Sequence, residues 1–323
     1  TRASARQIKL AATRVLANAA TDARLISPRA LSDFLVSHHF RPPDLSPSLP
    51  STQTSGAILM SLRAMHSAAS GMEAHQFGLD VIANNLANAS TTAFKRSRTN
   101  FEDLVYQHKK VAGTQATAGQ TGVGISVGLG TRIESTSQDF SQGSPRKTDS
   151  PLDLAIAGQG FFQVDNGGSP AYMRAGNFSQ NANGDVIVES ADSGRLLQPG
   201  IQIPPDATQI TITGDGTVSY VDSAGVIAQA GNISIYTFPN PQGLLQAGEN
   251  LLLPTPASGA ATQGTPGING FGALRQGFLE TSNVEPVREL VDLIRTQRNF
   301  ELNSQTIQAA DQMLQLIGNL RRF

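Results

Sequence analysis

Two adjacent histidines are the first side chains in the chain that could do chemistry together. His38 and His39 could each bind a metal ion, but no third ligand lies near them in the sequence, and a protein metal site uses at least three. The 323 residues include no cysteine, which excludes disulfides, thiolate metal sites and cysteine nucleophiles. We therefore interpret the histidines as a chance pair and predict no metal site.

A glycine-rich stretch invites comparison with phosphate-binding loops. Gly122, Gly124 and Gly128 do not have the spacing of the dinucleotide-binding fingerprint, and the segment TRIEST that comes after them is typical of a strand rather than of a helix N-terminus. The acidic residues Asp185 and Asp215 lie in turn sequences and lack the spaced oxygen ligands of a calcium loop. We predict no cofactor.

A hydrolase would need a nucleophile or paired acids close to a base. Four of the five histidines lie before residue 76, acid pairs such as Glu102–Asp103 are typical of surface charges, and no cluster of His, Asp and Ser emerges. An exported β-rich hydrolase or carbohydrate-binding module is the alternative, but 6% aromatic content and the absence of tryptophan disfavour sugar stacking. We predict that the protein is not an enzyme.

Charge and hydropathy exclude two classes of partner. The formal net charge is −1 and only 15% of residues are charged, so no basic field attracts nucleic acid or an anionic membrane. No apolar run approaches the ~20 residues of a transmembrane helix, so no membrane insertion is predicted. Residues 1–26 are charged throughout and lack the apolar core of a secretory signal, so any export is expected to use no cleaved Sec-type signal.

Composition and periodicity divide the chain into six segments. They are an N-terminal extension (1–59), a helix (60–98), an extended Gly/Thr-rich bridge (99–144), a β-rich domain (145–270), a return strand (271–282) and a second helix (283–323). The extension is expected to be disordered or the artefact of an upstream start site. The extension ends in RPPDLSPSLPSTQTSG, which is typical of a linker. In the β-rich domain, NANGD and GDG separate short alternating runs, and these signals predict two hairpins.

Both predicted helices carry heptad repeats. The first seam is Met65, Ala69, Met72, Gln76, Leu79, Ala83 and Leu86, widened by Ile82. The second seam consists of Leu293, Phe300, Ile307 and Leu314. Asn283 is the predicted N-cap, with Pro286 in the first turn. Each helix has one apolar stripe and is not stable alone in water, so we expect the two to pair as a coiled coil and to complete their packing among identical neighbours.

Three amides near the end of the first helix need a separate explanation, because Asn is a poor residue for a helix interior. Asn84, Asn85 and Asn88 suit lateral contacts between subunits, which is the interpretation we adopt for the first two. For Asn88 we favour the simpler interpretation that it caps the end of the helix. The expected fold is thus α+β and multidomain, with paired terminal helices, a central all-β domain and an extended bridge.

Three stretches resemble the bacterial flagellar rod and hook protein family, in the family's order. They are SAASGMEAHQFGLDVIANNLANASTTAFKRSRTNFEDLVYQ, DLAIAGQGFFQV and RQGFLETSNVEPVRELVDLIRTQRNFELNSQTIQAADQML. The match runs from Met60 to the end, and the length and bridge most resemble the subunits of the distal rod. Another axial protein of the family is the nearest alternative. One departure stands out, because the family's loop usually has glycine where this chain has Ala93, and Ala at φ > 0 costs about 1 kcal/mol.

The resemblance implies a structural role. Such subunits polymerise into a helical tube, the drive shaft that crosses the periplasm within the basal body, transmits torque from motor to hook and encloses the export channel. It implies export by the flagellar type III system without a cleaved signal, a bridge that stiffens the shaft, and neighbouring rod proteins, hook protein and P-ring and L-ring proteins as partners. The implied assembly interface comprises Met65, Met72, Leu79, Ile82, Asn84, Asn85, Leu86, Asn88, Leu290, Leu293, Ile294, Gln297, Arg298, Phe300, Asn303, Ile307 and Leu314.

Overall fold

The computed structural model describes residues 52–113, 115–116, 119–120, 122–188 and 194–320. The chain divides into two units, Thr1–Thr54 and Ser55–Phe323, and the second unit contains nearly all of the described residues. The His38–His39 pair and most of the predicted N-terminal extension lie outside the described residues. None of the described helices is long and apolar enough to cross a membrane.

Two long helices flank the β-rich part of the chain. Helix α1 spans Thr52–Ala87 and helix α2 spans Pro286–Leu320. Helix α1 begins eight residues before the predicted Met60, so the end of the expected linker is helical. Pro286 is the first residue of α2, where its missing N–H costs nothing.

The predicted N-cap of α2 was wrong. Asn283 lies three residues before the helix, and its Oδ1 accepts a hydrogen bond from the backbone N of Arg96 at 2.7 Å. Its Nδ2 donates to the carbonyl oxygen of Asp139 at 2.8 Å. The side chain therefore joins three separate segments instead of capping the helix, a role that local sequence cannot reveal.

The bridge folds back on itself as one nested hairpin, which we call the bridge hairpin. Its strands are β1 (Ser97–Asp103), β2 (Tyr106–Lys110), β3 (Gln115–Ala116), β4 (Gly119–Gln120), β5 (Ile125–Gly128) and β6 (Thr131–Gln138). Strand β1 pairs with β6, β2 with β5 and β3 with β4, all antiparallel. An extended bridge was expected, and the two halves of that bridge are in fact each other's hydrogen-bonding partners.

The remaining strands form the β body. They are β7 (Pro145–Lys147), β8 (Leu154–Ala157), β9 (Phe162–Asn166), β10 (Ser169–Met173), β11 (Phe178–Gln180), β12 (Val186–Val188), β13 (Leu197–Gln198), β14 (Gln209–Ile212), β15 (Thr217–Val221), β16 (Ile227–Asn232), β17 (Ile235–Thr237), β18 (Leu245–Gly248), β19 (Leu251–Leu253), β20 (Thr262–Gly264), β21 (Ala273–Gln276) and β22 (Phe278–Glu280). A 3₁₀ turn, Pro241–Gly243, precedes β18.

The sheets of the β body surround its main apolar core. The largest sheet has the order β13-β9-β10-β19-β18, and a second has the order β14-β15-β16. The hairpins predicted around NANGD and GDG are confirmed as the pairs β11–β12 and β14–β15. Inward side chains of these strands and of neighbouring segments form the main apolar core, which includes the fully buried Phe162 of β9, Ile235 of β17 and Ile203 between β13 and β14.

The predicted return segment is the last part of the β body and leads into α2. It contains β21 and β22, which pair with β8 and β7 near the start of the body. The chain therefore enters and leaves the β body side by side. This arrangement brings the residues after α1 close to the residues before α2.

Candidate assembly interface

The two helices meet at three points that are each seven residues apart. A Cβ added at Gly71 would lie 2.7 Å from Nδ2 of Asn303, and one added at Gly78 would lie 3.8 Å from Cγ2 of Thr296. Further along, Nδ2 of Asn85 donates to Oε2 of Glu289 at 3.3 Å. The positions rise along α1 as they fall along α2, so the helices run antiparallel through this stretch in a heptad register.

The predicted interface residues fall into three groups by exposure. Asn85 is buried. The half-buried residues are Met65, Met72, Leu79, Ile82, Leu86, Asn88, Leu293, Phe300, Asn303, Ile307 and Leu314. The exposed residues are Asn84, Leu290, Ile294, Gln297 and Arg298. Whether these residues contact other subunits stays a prediction.

The sequence interpretation missed the closest contacts of α1. Gly71 and Gly78 are buried, whereas Ala69, Gln76 and Ala83 of the predicted seam are exposed. Glycine contributes no apolar side chain, so a search for hydrophobic periodicity passes over it. The sequence signal that could have revealed these contacts is the spacing of seven residues between Gly71, Gly78 and Asn85.

The three amides at the end of α1 have three different environments. Asn85 is 1% exposed, and it accepts a hydrogen bond from Ser97 N at 2.9 Å while donating to Ser97 O at 2.8 Å. Asn88 donates to the carbonyl oxygen of Asn84 at 3.0 Å and accepts from Thr91 Oγ1 at 3.0 Å, which confirms its interpretation as a cap. The amide of Asn85 thus holds the start of β1 against α1 as a neighbouring strand would.

Three buried charges join the loop after α1 to the β body. In this cluster, which we call the junction cluster, Oε1 of Glu280 accepts hydrogen bonds from Lys95 Nζ at 2.6 Å and from Gly143 N at 2.9 Å, and its Oε2 accepts from Arg174 Nε at 2.7 Å. Lys95 also donates to the carbonyl oxygen of Ser141 at 2.7 Å. All three charged side chains are buried, so their opposite charges and hydrogen bonds compensate for lost hydration.

Arg174 extends the junction cluster into a loop of the β body. Its guanidinium donates to the carbonyl oxygens of Gly160 at 2.7 Å and Ile156 at 3.2 Å, and also to that of Gly158. The fork of five donors suits several carbonyls at once. Arg174 therefore fixes this loop relative to Glu280.

Electrostatics in the junction cluster favour an ionised Glu280. Burial alone raises the pKa of this carboxyl group, but the positive charges of Arg174 and Lys95 and the hydrogen bonds from both hold its pKa below the ordinary value. The ordinary pKa of glutamate is about 4.3. Glu280 is thus a carboxylate in the folded protein at neutral pH.

A second buried carboxylate holds the start of α2. Glu289 is fully buried and accepts hydrogen bonds from Arg96 Nε as well as from Asn85. It lies in the first turn of α2, where a negative charge is favoured by the helix dipole. Adjacent residues of one loop, Lys95 and Arg96, thus bind separate acids on the return segment and on α2.

Ala93 adopts the conformation that the family's glycine would. Its φ is +55°, and the residue is 6% exposed within the main core. Its backbone N donates to the carbonyl oxygen of Glu280 at 2.8 Å. The left-handed turn is therefore retained with an alanine, held by this bond and by the packing around it.

Among the described residues, no group of three or more His, Asp or Glu side chains could hold a metal ion. The clustered charges are instead paired acids and bases between segments. These pairs hold separate segments of the chain in fixed positions relative to one another.

Three family models built from known proteins match parts of this chain. Residues 65–95 match the model described as "Flagella basal body rod protein", residues 155–220 the "Flagellar hook protein FlgE/F/G D1 domain", and residues 275–320 the "Flagellar basal body rod FlgEFG protein C-terminal". The chain is 46% identical to the flagellar basal-body rod protein FlgG of Caulobacter vibrioides over 264 residues, which cover 80% of this chain and 100% of that protein.

Two further relatives extend the comparison. The FlgG protein of Bacillus subtilis is 41% identical over 81% of this chain and 100% of its own length. The flagellar hook-basal body complex protein FlhP of the same organism is 34% identical over 80% of this chain and 100% of its own length. The chain therefore belongs to the FlgG family of flagellar basal-body rod proteins, whose members are structural subunits and not enzymes.

Proposed function

We propose that the chain is a subunit of the distal rod whose α1–α2 pair is a continuous coiled coil lining the inside of a helical tube. In this proposal the β body forms the outer layer and the tube encloses the export channel while it transmits torque from the motor to the hook. The observation that carries it is the heptad register of Gly71 with Asn303, Gly78 with Thr296 and Asn85 with Glu289. Helices from distant parts of the sequence are joined in one rod-shaped unit of the kind that tubes are built from.

A double substitution in α2 tests the helical pair. Leu293→Asp with Ile307→Asp places two charges on half-buried positions of the α1-facing side. We expect the tube to be lost while the β body stays folded, because the body has its own core. Electron microscopy of purified polymers, motility of a complemented strain and limited proteolysis of the β body are the measurements.

The matched control adds the same charge elsewhere on the helix. Gln308→Asp with Gln315→Asp changes two exposed positions, and we expect normal tubes. Normal motility of the Leu293/Ile307 variant would contradict the proposal, and loss of tubes in both variants would show that added charge alone is responsible.

The bridge hairpin is proposed to fill the space between neighbouring subunits. Strand β2 is exposed along its whole length, and Val105, Val123 and Ile125 are large exposed apolar residues. An isolated two-stranded hairpin is marginally stable in water, so a neighbour is the expected support. The N–H of Leu104 donates to the carbonyl oxygen of Gly130 at 2.9 Å, which makes these two residues suitable ends for a deletion.

Replacing residues 105–129 by an Asn-Gly turn tests this part. We expect a folded subunit that forms a more flexible rod, seen as bent rods in electron micrographs. Straight rods of unchanged stiffness would count against the proposed role.

Location and partners are proposed from the family. We propose a place in the rod where it crosses the periplasm, contacts with neighbouring rod proteins, the hook protein and the P-ring and L-ring proteins, and export by the flagellar type III system without a cleaved signal. Cross-linking of purified basal bodies tests the neighbours, and N-terminal sequencing of the same material tests the absence of cleavage.

A further inference from the structure

Helix α2 exposes a second apolar stripe on the side away from α1. Its large members are between 50% and 76% exposed, and they are Val287, Val291, Ile294, Leu302, Met313 and Leu316. Together with Arg298, Gln305 and Ala309 they form a continuous row in which each member is three or four residues from the next. The average step of about 3.6 residues keeps the series on one face of a straight helix.

Helix α1 of the same subunit does not cover this stripe. It contacts α2 at Glu289, Thr296 and Asn303. At about 100° per residue, Leu302 lies about 100° around the helix from Asn303, and Ile294 lies about 160° from Thr296. A row of exposed large apolar side chains on a soluble subunit marks an interaction surface.

The outer face of α1 has the complementary shape. Leu62, Ala69, Gln76 and Ala83 are exposed and seven residues apart, so after Leu62 this row is formed by small or flexible side chains. Large side chains of one helix pack best against a groove between small ones. A second copy of α2 placed against the stripe would instead oppose large residues with large residues.

Charge also distinguishes the two faces. Arg298 interrupts the stripe on α2 and, within the part of the chain that the structure describes, forms no ion pair. Glu73 and Asp80 lie on the outer face of α1, are exposed, and likewise form no ion pair with a described residue. An α2–α2 contact would bring two copies of Arg298 towards each other, whereas an α2–α1 contact offers each arginine an acid.

We propose that the second stripe of α2 docks onto the outer face of α1 of a second copy of this chain, with Arg298 directed at Glu73 or Asp80. The contact joins two different surfaces, so each copy keeps one stripe and one outer face available for further copies. This inference rests on the proposed function and identifies which surfaces make the contact between subunits.

Disulfide cross-linking between single-cysteine chains tests the docking, because the natural chain has no cysteine. Chains with Leu302→Cys are mixed, under polymerising and mildly oxidising conditions, with chains carrying Ala69→Cys, Gln76→Cys or Ala83→Cys. We expect a cross-linked dimer of the two kinds of chain with at least one of the three. Gln308→Cys is the matched control, because it is exposed on α2 about 120° around the helix from Leu302, and we expect it to give none.

Three results would overturn the docking. They are polymers without a cross-link to α1, cross-links mainly between two Leu302→Cys chains, and equal cross-linking by the Gln308→Cys control. In each of these cases the polymer itself is still seen by electron microscopy, so the proposed function stands while this contact is wrong. An unsubstituted full chain that forms no polymer would overturn both.

Charge reversal gives an independent measurement. We expect Arg298→Glu to raise the critical concentration for polymerisation about tenfold. Adding Glu73→Arg and Asp80→Arg to the same chain should restore most of the loss. A critical concentration unchanged by Arg298→Glu, or a loss that the added arginines deepen, would overturn the proposed charge pairing.

Discussion

Glu280 accepts a hydrogen bond from Nζ of Lys95 at 2.6 Å, although 185 positions separate the two residues in the sequence. Glu280 comes shortly before α2 and Lys95 shortly after α1, so this contact lies where the C-terminal end of α1 and the N-terminal end of α2 meet the β body. Burial makes it costly to leave either charge without its partner. The junction cluster is therefore the first place where substitution should reveal how the subunit is held together.

Glu280→Gln should lower the free energy of unfolding by about 3 kcal/mol, because it leaves Lys95 and Arg174 buried without a negative charge. Equilibrium urea denaturation of the subunit measures the change. Glu249→Gln is the control, since Glu249 is exposed where it pairs with Arg195, and such pairs contribute about 0–1 kcal/mol. Equal effects of the two substitutions would contradict the assigned role.

The lowered pKa of Glu280 predicts an acid-dependent stability. A carboxyl group whose pKa is lower in the folded than in the unfolded state stabilises the fold above its unfolded-state pKa, about 4.3. That contribution is lost as the pH falls through the lower folded-state pKa. Urea denaturation between pH 6 and pH 3 should thus show a loss of stability that Glu280→Gln reduces, and an identical pH dependence in the variant would be evidence against it.

Asn85→Leu should cost about 2–3 kcal/mol, because both backbone groups of Ser97 lose their partner. The carboxylate of Glu289 loses a donor as well. Asn84→Leu, at the neighbouring exposed position, should change the unfolding free energy by less than about 0.5 kcal/mol. If the two variants were equally stable, the amide of Asn85 would have no special role within the subunit.

Gly71→Leu should separate the helices, because even a Cβ at this position lies 2.7 Å from Asn303. Gly318→Leu is the matched control, since a Cβ there meets nothing within 4 Å, and replacing a helical glycine stabilises by up to about 1 kcal/mol. Thermal unfolding followed by circular dichroism should show a lower Tm for the first variant and an equal or higher Tm for the second. The reverse order would exclude the observed register.

Ala93→Val should destabilise the subunit by more than about 2 kcal/mol, because a β-branched residue is strained at φ +55° and the site is buried. Ala93→Gly should change stability by less than about 1 kcal/mol, since relief of strain is offset by a more flexible unfolded chain and a lost buried methyl group. Urea denaturation measures both. A tolerated valine would indicate that the turn relaxes to negative φ.

The elements that repeat were predictable and the contacts between distant segments were not. The heptad repeats predicted α1 and α2, and the turn sequences NANGD and GDG predicted two hairpins. Each of these signals is formed by residues that are close together in the sequence. Lys95, Arg174 and Glu280 carry no such signal, since each looks like an ordinary surface charge until the fold brings them together. Asn283 shows the same limit, because its sequence context suits a cap while its partners lie in other segments.

The amides at the end of α1 were predictable only in part. Their unusual number was visible in the sequence, and the cap formed by Asn88 was correctly interpreted. The role of Asn85 depends on the position of β1 relative to α1, which the bridge hairpin determines. Neither the pairing of β1 with β6 nor the buried glycines could be found by looking for apolar periodicity.

The register between α1 and α2 has a consequence for how relatives can differ in length. Inserting one residue between Gly71 and Asn85 would rotate the rest of the helix by about 100° and turn its small residues away from the partner. Only the gain or loss of whole heptads, matched on both helices, preserves every contact. Insertions and deletions in this lineage should therefore accumulate in the loops of the β body and at the tip of the bridge hairpin, while the two helices change length only together.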